Sequence, residues 1–251
     1  MLPVLLSIPH GGSGVPKEIE GRLVITAHDL FDDSDAFTLD IYDLCNEVKS
    51  VVKSEIARAF VDMNRAPDDL PPQSPDGVVK SVTCLNRPIY VQGNEPDTEL
   101  TAILLKRYYN PYHAKLSEAV ADPDIMLALD CHSMLATAPP IEPTHGKPRP
   151  LFCLSNLSGE SAPMDLVMQF RAAIANAFDI DIEEIGVNDP FRGGYITRRY
   201  GRSGIPVIQV EMNRSLYLER PWFDRETLTT DPQRLSELRT RFHDSLEQLR
   251  I

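Results

Sequence analysis

The chain has 251 residues, 42% of them hydrophobic and 25% charged, enough to bury one sizeable core, so a single domain spanning 1–251 is expected. Its 25 Lys and Arg against 37 Asp and Glu leave a formal charge of −12, which repels phosphate backbones and anionic lipid surfaces and argues against nucleic-acid partners. No apolar run approaches the ~20 residues needed to span a bilayer, and the four cysteines form no CxxC pair, which suits reduced thiols in the cytoplasm and disfavours a Cys-based zinc site.

The opening MLPVLLSIPHGG lacks a basic region and a small-residue cleavage site, so it reads as a first strand over 3–9 rather than a signal peptide. His10 follows, with Gly11 and Gly12 allowing a sharp turn. Helical spacing predicts a helix over 34–48 with Asp35 at its start, and an apolar run predicts a strand over 56–61 that ends in Asp62, Asn64 and Arg65. Prolines around 67–75 and 139–150 mark two long surface loops. A helix over 96–121 and a strand over 125–129 lead to Asp130 and His132. A strand over 150–154, a helix over 163–177 and a strand over 182–187 come next. PFRGGYITRRYGR, residues 190–202, reads as a mobile cationic loop able to cover an anionic ligand. A strand over 205–210 then ends at Glu211 and Asn213, and a helix over 232–250 closes the chain. Short β-branched runs alternating with helices argue for an α/β fold with a central, mostly parallel sheet.

Four of these predicted strands end in polar residues: His10; Asp62, Asn64 and Arg65; Asp130 and His132; Glu211 and Asn213. Ligands in open α/β sheets bind beyond the carboxyl ends of the strands, so these groups can converge on one pocket. Two histidines, several carboxylates and an arginine make the equipment of a metal-assisted hydrolase. A lone strand-end histidine is more often a hydrogen-bonding residue, but Asp130 lies two residues before His132 and faces the same side, able to accept the spare ring N–H of a metal-bound imidazole. Cys131 then faces the opposite, packed side. The third ligand is Asp35 or Glu18; Asp35 is preferred for its fixed place at a helix start, with simple N-capping as its alternative role. Arg65 offers a planar fork for a carboxylate, and Glu211 fits a general base better than a core residue. No GxSxG, GxxxxGK[ST] or GxGxxG motif is present. A small anionic substrate has to be caught by arginines gathered locally.

The motifs IPHGG, SDAF, VDMNR, YYNPYH, LDCHS, PFRGGYITRRYG and IQVEMNRSLY run nearly end to end, and in this order and spacing the chain resembles the N-formylglutamate amidohydrolases. The resemblance implies a fold like that of zinc carboxypeptidases and aspartoacylase-type deacylases, a central mixed sheet flanked by helices. It implies one divalent ion, zinc by family, held by His10, Asp35 and His132, with Glu211 as general base. It implies that Asn64 and Arg65 grip the substrate, an N-formylglutamate-like acidic N-acyl amino acid. Arg198 is expected at the oxyanion or a second carboxylate, with Arg192 and Tyr195 beside the substrate. Ala36 replaces the usual aromatic, Gly12 a frequent serine, and FRGG the commoner FKGG. Two rival readings are a zinc carboxypeptidase or cell-wall amidase, with loops 67–80 and 139–150 forming a longer groove, and a non-catalytic protein that captures acidic metabolites through its arginines.

Overall fold

A computed structural model describes residues 1–139 and 144–251. Six strands form one sheet in the order β2-β1-β3-β6-β4-β5: β1 (Leu2–Ile8), β2 (Val48–Lys53), β3 (Leu127–Met134), β4 (Phe152–Ser155), β5 (Ile185–Val187) and β6 (Val207–Asn213). All neighbours pair in parallel except β4 with β6, so the sheet is mixed but mostly parallel, as expected. The helices are α1 (Ala27–Asp33), α2 (Thr38–Tyr42), α3 (Thr98–Leu104), α4 (Asn110–Val120), α5 (Met164–Phe178), α6 (Tyr195–Tyr200) and α7 (Pro232–Glu247). A small hairpin of β7 (Phe223–Asp224) and β8 (Thr229–Thr230) stands apart. Among the described residues no helix is long and apolar enough to cross a membrane.

Side chains along a strand alternate between faces, and this period places the chemistry. Leu127, Leu129 and Cys131 of β3, with Ile208, Val210 and Met212 of β6, enter a core closed by α2, α5 and α7. Cys131 is packed there, as its position predicted. The residues between them face the other way, where Ala128 and Val207 join a second core against α3, α4 and α6. Asp130 and His132, Gln209 and Glu211 therefore share that second face at the carboxyl ends of their strands, with Asp130 in register with Gln209 and His132 with Glu211.

Three predicted elements need correction. The strand after β1 is Val48–Lys53, not 56–61. Val48 and Val52 are buried and Lys49 and Lys53 exposed, the alternation of a lysine-bearing edge strand, whereas Ala57, Ala59, Phe60 and Val61 are all buried in turns and leave no solvent face. The predicted helix over 34–48 is broken, because Phe37 adopts a left-handed φ of 62° and only Thr38–Tyr42 is helical. Asp35 thus sits in a bend between α1 and α2 rather than at a helix start. The segment 190–202 contains α6, a helix packed on the second core through Ile196 and Tyr200. The helix over 96–121 is present as α3 and α4 joined by a π turn at Leu105–Tyr109, which shifts the helical phase so that Tyr109 and Tyr112 are both buried.

Candidate active site

Just beyond β1, His10 enters a turn where a side chain on Gly12 would fall 2.3 Å from the Glu55 backbone, so the close approach there requires glycine. The carbonyl of His10 accepts from the Asp35 backbone N–H at 3.1 Å, which ties the α1–α2 bend to the end of β1. The Asp35 carbonyl in turn accepts from the Thr38 hydroxyl at 2.7 Å, so this residue supports α2 through its backbone and its carboxylate is left for the site.

His10, Asp35 and His132 are all buried and converge. The Nδ1 atoms of the two rings lie 3.1 Å apart, and Asp35 Oδ2 lies 3.4 Å from that of His10 and 3.1 Å from that of His132. Each ring is backed at Nε2 by a second carboxylate: Asp62 Oδ1 at 2.7 Å behind His10 and Asp130 Oδ1 at 3.1 Å behind His132. With each Nε2–H given to its carboxylate, both Nδ1 lone pairs and one carboxylate oxygen face one another. Three converging acceptors suit a cation between them, and two imidazoles with one carboxylate are a zinc-type donor set.

The two supporting carboxylates differ. Asp62 Oδ2 meets Arg58 Nη2 at 3.1 Å and Lys80 Nζ at 3.6 Å, and despite its burial His10 and these cations hold it well below the usual carboxylate range. Among the described residues Asp130 has hydroxyl donors besides its histidine, Ser7 at 3.4 Å and Thr197 at 3.1 Å, and no cation. Burial alone would depress His132, yet Asp130 and Asp35 hold it well above its ordinary value. Asp35 is held low against its own burial by the two histidines and by Arg214, whose Nη2 donates to Asp35 Oδ1 at 2.9 Å.

Glu211 stands in register beside His132 on one side and Cys153 on the other. Its Oε1 accepts from Gln209 Nε2 at 2.9 Å. Burial pushes its carboxyl up to about 7, with Asp35 and Asp130 adding and His132 and Arg214 opposing. A carboxyl near neutrality can both accept and return a proton.

These groups open into a cleft of about 420 Å³ that also takes in Asn64, Arg65, Arg192 and Arg198 from the expected set. Asn64 is not a free arm: its Oδ1 accepts from the Ile196 N–H at 2.8 Å and its Nδ2 lies 3.2 Å from His132 Nε2. Gly194 leaves it room, since a Cβ there would lie 2.3 Å from that amide nitrogen. Arg65 is anchored along one edge, Nε to the Asp76 carbonyl at 3.1 Å and Nη2 to Asp76 Oδ2 at 2.9 Å. Arg192 is exposed at the cleft, and Arg198 donates to the Gly193 carbonyl at 3.1 Å. Tyr195 does not line the cleft; its hydroxyl accepts from Arg199 at 2.7 Å and its ring packs near His113. Glu18 is remote from the histidines and engaged by Arg107 and Tyr108, which leaves Asp35 as the carboxylate of the cluster. The loop expected over 67–80 reaches the cleft through Asp76, and part of the loop at 139–150 lies outside the described residues.

Sequence reasoning missed three supports, Asp62 as the partner of His10, and Arg58 and Arg214 as the cations around Asp35. Arg214 had a signal, because Asp62-Met63-Asn64-Arg65 recurs as Glu211-Met212-Asn213-Arg214. Arg58 stands four residues before Asp62, the spacing of an ion pair on one helical turn.

The profile of the N-formylglutamate amidohydrolases matches residues 2–218. The chain belongs to this family. An N-formylglutamate deformylase of Pseudomonas putida is 29% identical over 243 residues, 92% of this chain and 88% of that one. One of Pseudomonas aeruginosa is 29% identical over 227 residues, 87% and 83% of the two chains. The crystal structure of an N-formylglutamate amidohydrolase from Ralstonia eutropha JMP134 superposes with a TM-score of 0.80 at 22% identity, covering 98% of this chain and 92% of that one, and shares the fold. The N-formylglutamate amidohydrolase profile ends at residue 218, past Glu211 and Arg214, so every residue of the convergent site lies within it.

Proposed function

We propose that this protein hydrolyses the amide bond of N-formylglutamate or a closely similar acidic N-acyl amino acid. The observation that carries the reading is the convergence of His10, Asp35 and His132 beside Glu211 at the floor of an arginine-lined cleft, in a chain of this family. His10 Nδ1, His132 Nδ1 and Asp35 Oδ2 would hold one divalent ion, zinc by donor type, which supplies Lewis acidity to the carbonyl and to the attacking water.

The chain's own groups account for the rest. Arg65, anchored by Asp76 on one edge, turns its remaining donors to the substrate carboxylate, and Arg192 takes the second carboxylate. Arg198 donates to the oxygen on which negative charge develops. Asn64 holds α6 against the ligand histidine, and Tyr195 positions Arg199 on that helix. Glu211, oriented by Gln209, takes a proton from water and delivers it to the departing amine. Cys45, Cys84, Cys131 and Cys153 are all free, which agrees with the reducing cytoplasm as the place of action.

The test is hydrolysis of N-formylglutamate by metal-replete protein, read as released formate. Turnover that Glu211→Gln abolishes supports the reading; no turnover across formyl and acetyl acidic amino acids overturns it.

A further inference from the structure

Beside the cleft lies a second cavity of about 360 Å³, and Arg192 and Arg198 line both. Leu157, Ser158, Glu160 and Arg202 complete it. Three guanidiniums face one carboxylate there, in a chain whose formal charge is −12, and Glu160 pairs with Arg202, at 3.2 Å. The main cleft alone falls within the range that encloses a whole small-molecule ligand. The adjoining cationic cavity is therefore room beyond a single amino acid.

The floor of this cavity is held in an unfavourable backbone shape. Leu157 and Ser158 both have left-handed φ, 54° and 56°, a rare conformation for a bulky residue. It persists because its surroundings fix it. Asn188 Oδ1 accepts from the Asn156 and Ser158 N–H groups at 3.0 and 3.3 Å, and Asn188 Nδ2 donates to the buried Asn156 side chain at 2.8 Å. The Leu157 N–H donates to the Arg192 carbonyl at 2.9 Å, and a Cβ on Gly193 would lie 2.7 Å from Leu157 Cδ2. The strained turn and the arginine segment thus form one locked unit. Strain kept in place this way gathers where ligands are held.

We propose that this cavity is a second anion subsite, which accepts the carboxylate of a further acidic residue on an extended substrate, an N-acyl dipeptide of two acidic amino acids. The inference rests on the hydrolase reading above for its chemistry but has its own test. Arg202, outside the catalytic and substrate-binding set, is the residue to change.

N-Formylglutamate and N-formylglutamylglutamate, α- and γ-linked, are assayed separately with wild type and Arg202→Gln. The substitution should lower kcat/KM for at least one dipeptide about tenfold, the size of one lost charge-assisted bond, and leave N-formylglutamate unchanged. Glu160→Gln, which frees Arg202, should shift the same ratio the other way. Calorimetry with glutamate and with the free glutamylglutamates needs no turnover, and wild type should bind a dipeptide more tightly, a preference that Arg202→Gln removes. If N-formylglutamate is not hydrolysed while this preference holds, the hydrolase reading fails and the subsite stands. Hydrolysis with no dipeptide preference, or an equal loss on all substrates in Arg202→Gln, overturns the subsite.

Discussion

His132 and Glu211 are register partners across the parallel ladder of β3 and β6. Adjacent strands lie roughly 4.8 Å apart, so the ladder alone sets the spacing between the histidine proposed as a metal ligand and the carboxylate proposed for proton transfer. Glu211 can then be changed without moving His132. Glu211→Gln keeps the side-chain volume and the bond to Gln209, so metal content and melting temperature should match wild type while kcat falls ~10²–10⁴-fold and KM changes little. Near-normal turnover in this variant would assign the proton transfer to another group.

Metal binding should depend on the two histidines and on the carboxylates behind them. His10→Ala and His132→Ala should lose most of the divalent ion, measured by elemental analysis after dialysis against the metal. Asp62→Asn and Asp130→Asn should weaken affinity by roughly 10–100-fold in chelator competition, because each orients a ligand ring. Asp62→Asn should also melt at the lower temperature of the two, since it leaves the half-buried Arg58 and the fully buried Lys80 against one fewer carboxylate. Equal melting temperatures would show that the cations around Asp62 contribute nothing to stability.

Arg65 gives a prediction about binding rather than chemistry. Asp76 holds its Nε/Nη2 edge, and the other Asp76 oxygen lies 2.6 Å from the fully buried Lys80 Nζ. Asp76→Asn should loosen the guanidinium, which keeps its bond to the backbone carbonyl but loses the charged partner of Nη2, and raise KM severalfold with kcat nearly unchanged, and Arg65→Ala should raise it further. The double variant should be no worse than Arg65→Ala alone, because Asp76 acts through Arg65. Additive losses would count against that link.

Acid stability should report His113. Burial lowers its pKa from 6.5 to about 4, helped by Arg199, while the bond to the Met63 carbonyl and Asp130 oppose the shift. The unfolded chain therefore binds the proton more readily between those two values. The contribution is complete above pH 6.5 and is lost as pH falls toward 4, reaching about 2 kcal/mol by pH 5. In urea unfolding, His113→Gln should be less stable than wild type at pH 8, and the gap should narrow at pH 5. A gap independent of pH would place the charge change elsewhere.

Strands β1, β3 and β6 and the polar residues at their ends were legible because apolar runs and period-two alternation report burial directly. His10, His132 and Glu211 could be read for the same reason, each within three residues of the end of such a run. Strand β2 was hidden because its lysines break the apolar pattern that an edge position does not need. The bend at Asp35 was hidden because the residues around it keep helical spacing on both sides of Phe37, whose left-handed conformation has no sequence mark. Asp62 and Arg214 escaped because their roles lie in pairings across the fold, 52 positions apart for His10 with Asp62 and 179 for Arg214 with Asp35.

The mixed sheet separates two kinds of change available to this protein over evolutionary time. His10, His132 and Glu211 project from the ends of three consecutive strands, β1, β3 and β6, and their spacing cannot drift without breaking the ladder. Arg65, Arg192 and Arg198 stand on a loop and on or beside the short helix α6. On the proposed function, selection can therefore move the preference for one acid over another by substitutions in those segments while the strand-end groups stay fixed, so descendants of one ancestor can diverge in diet before they diverge in chemistry.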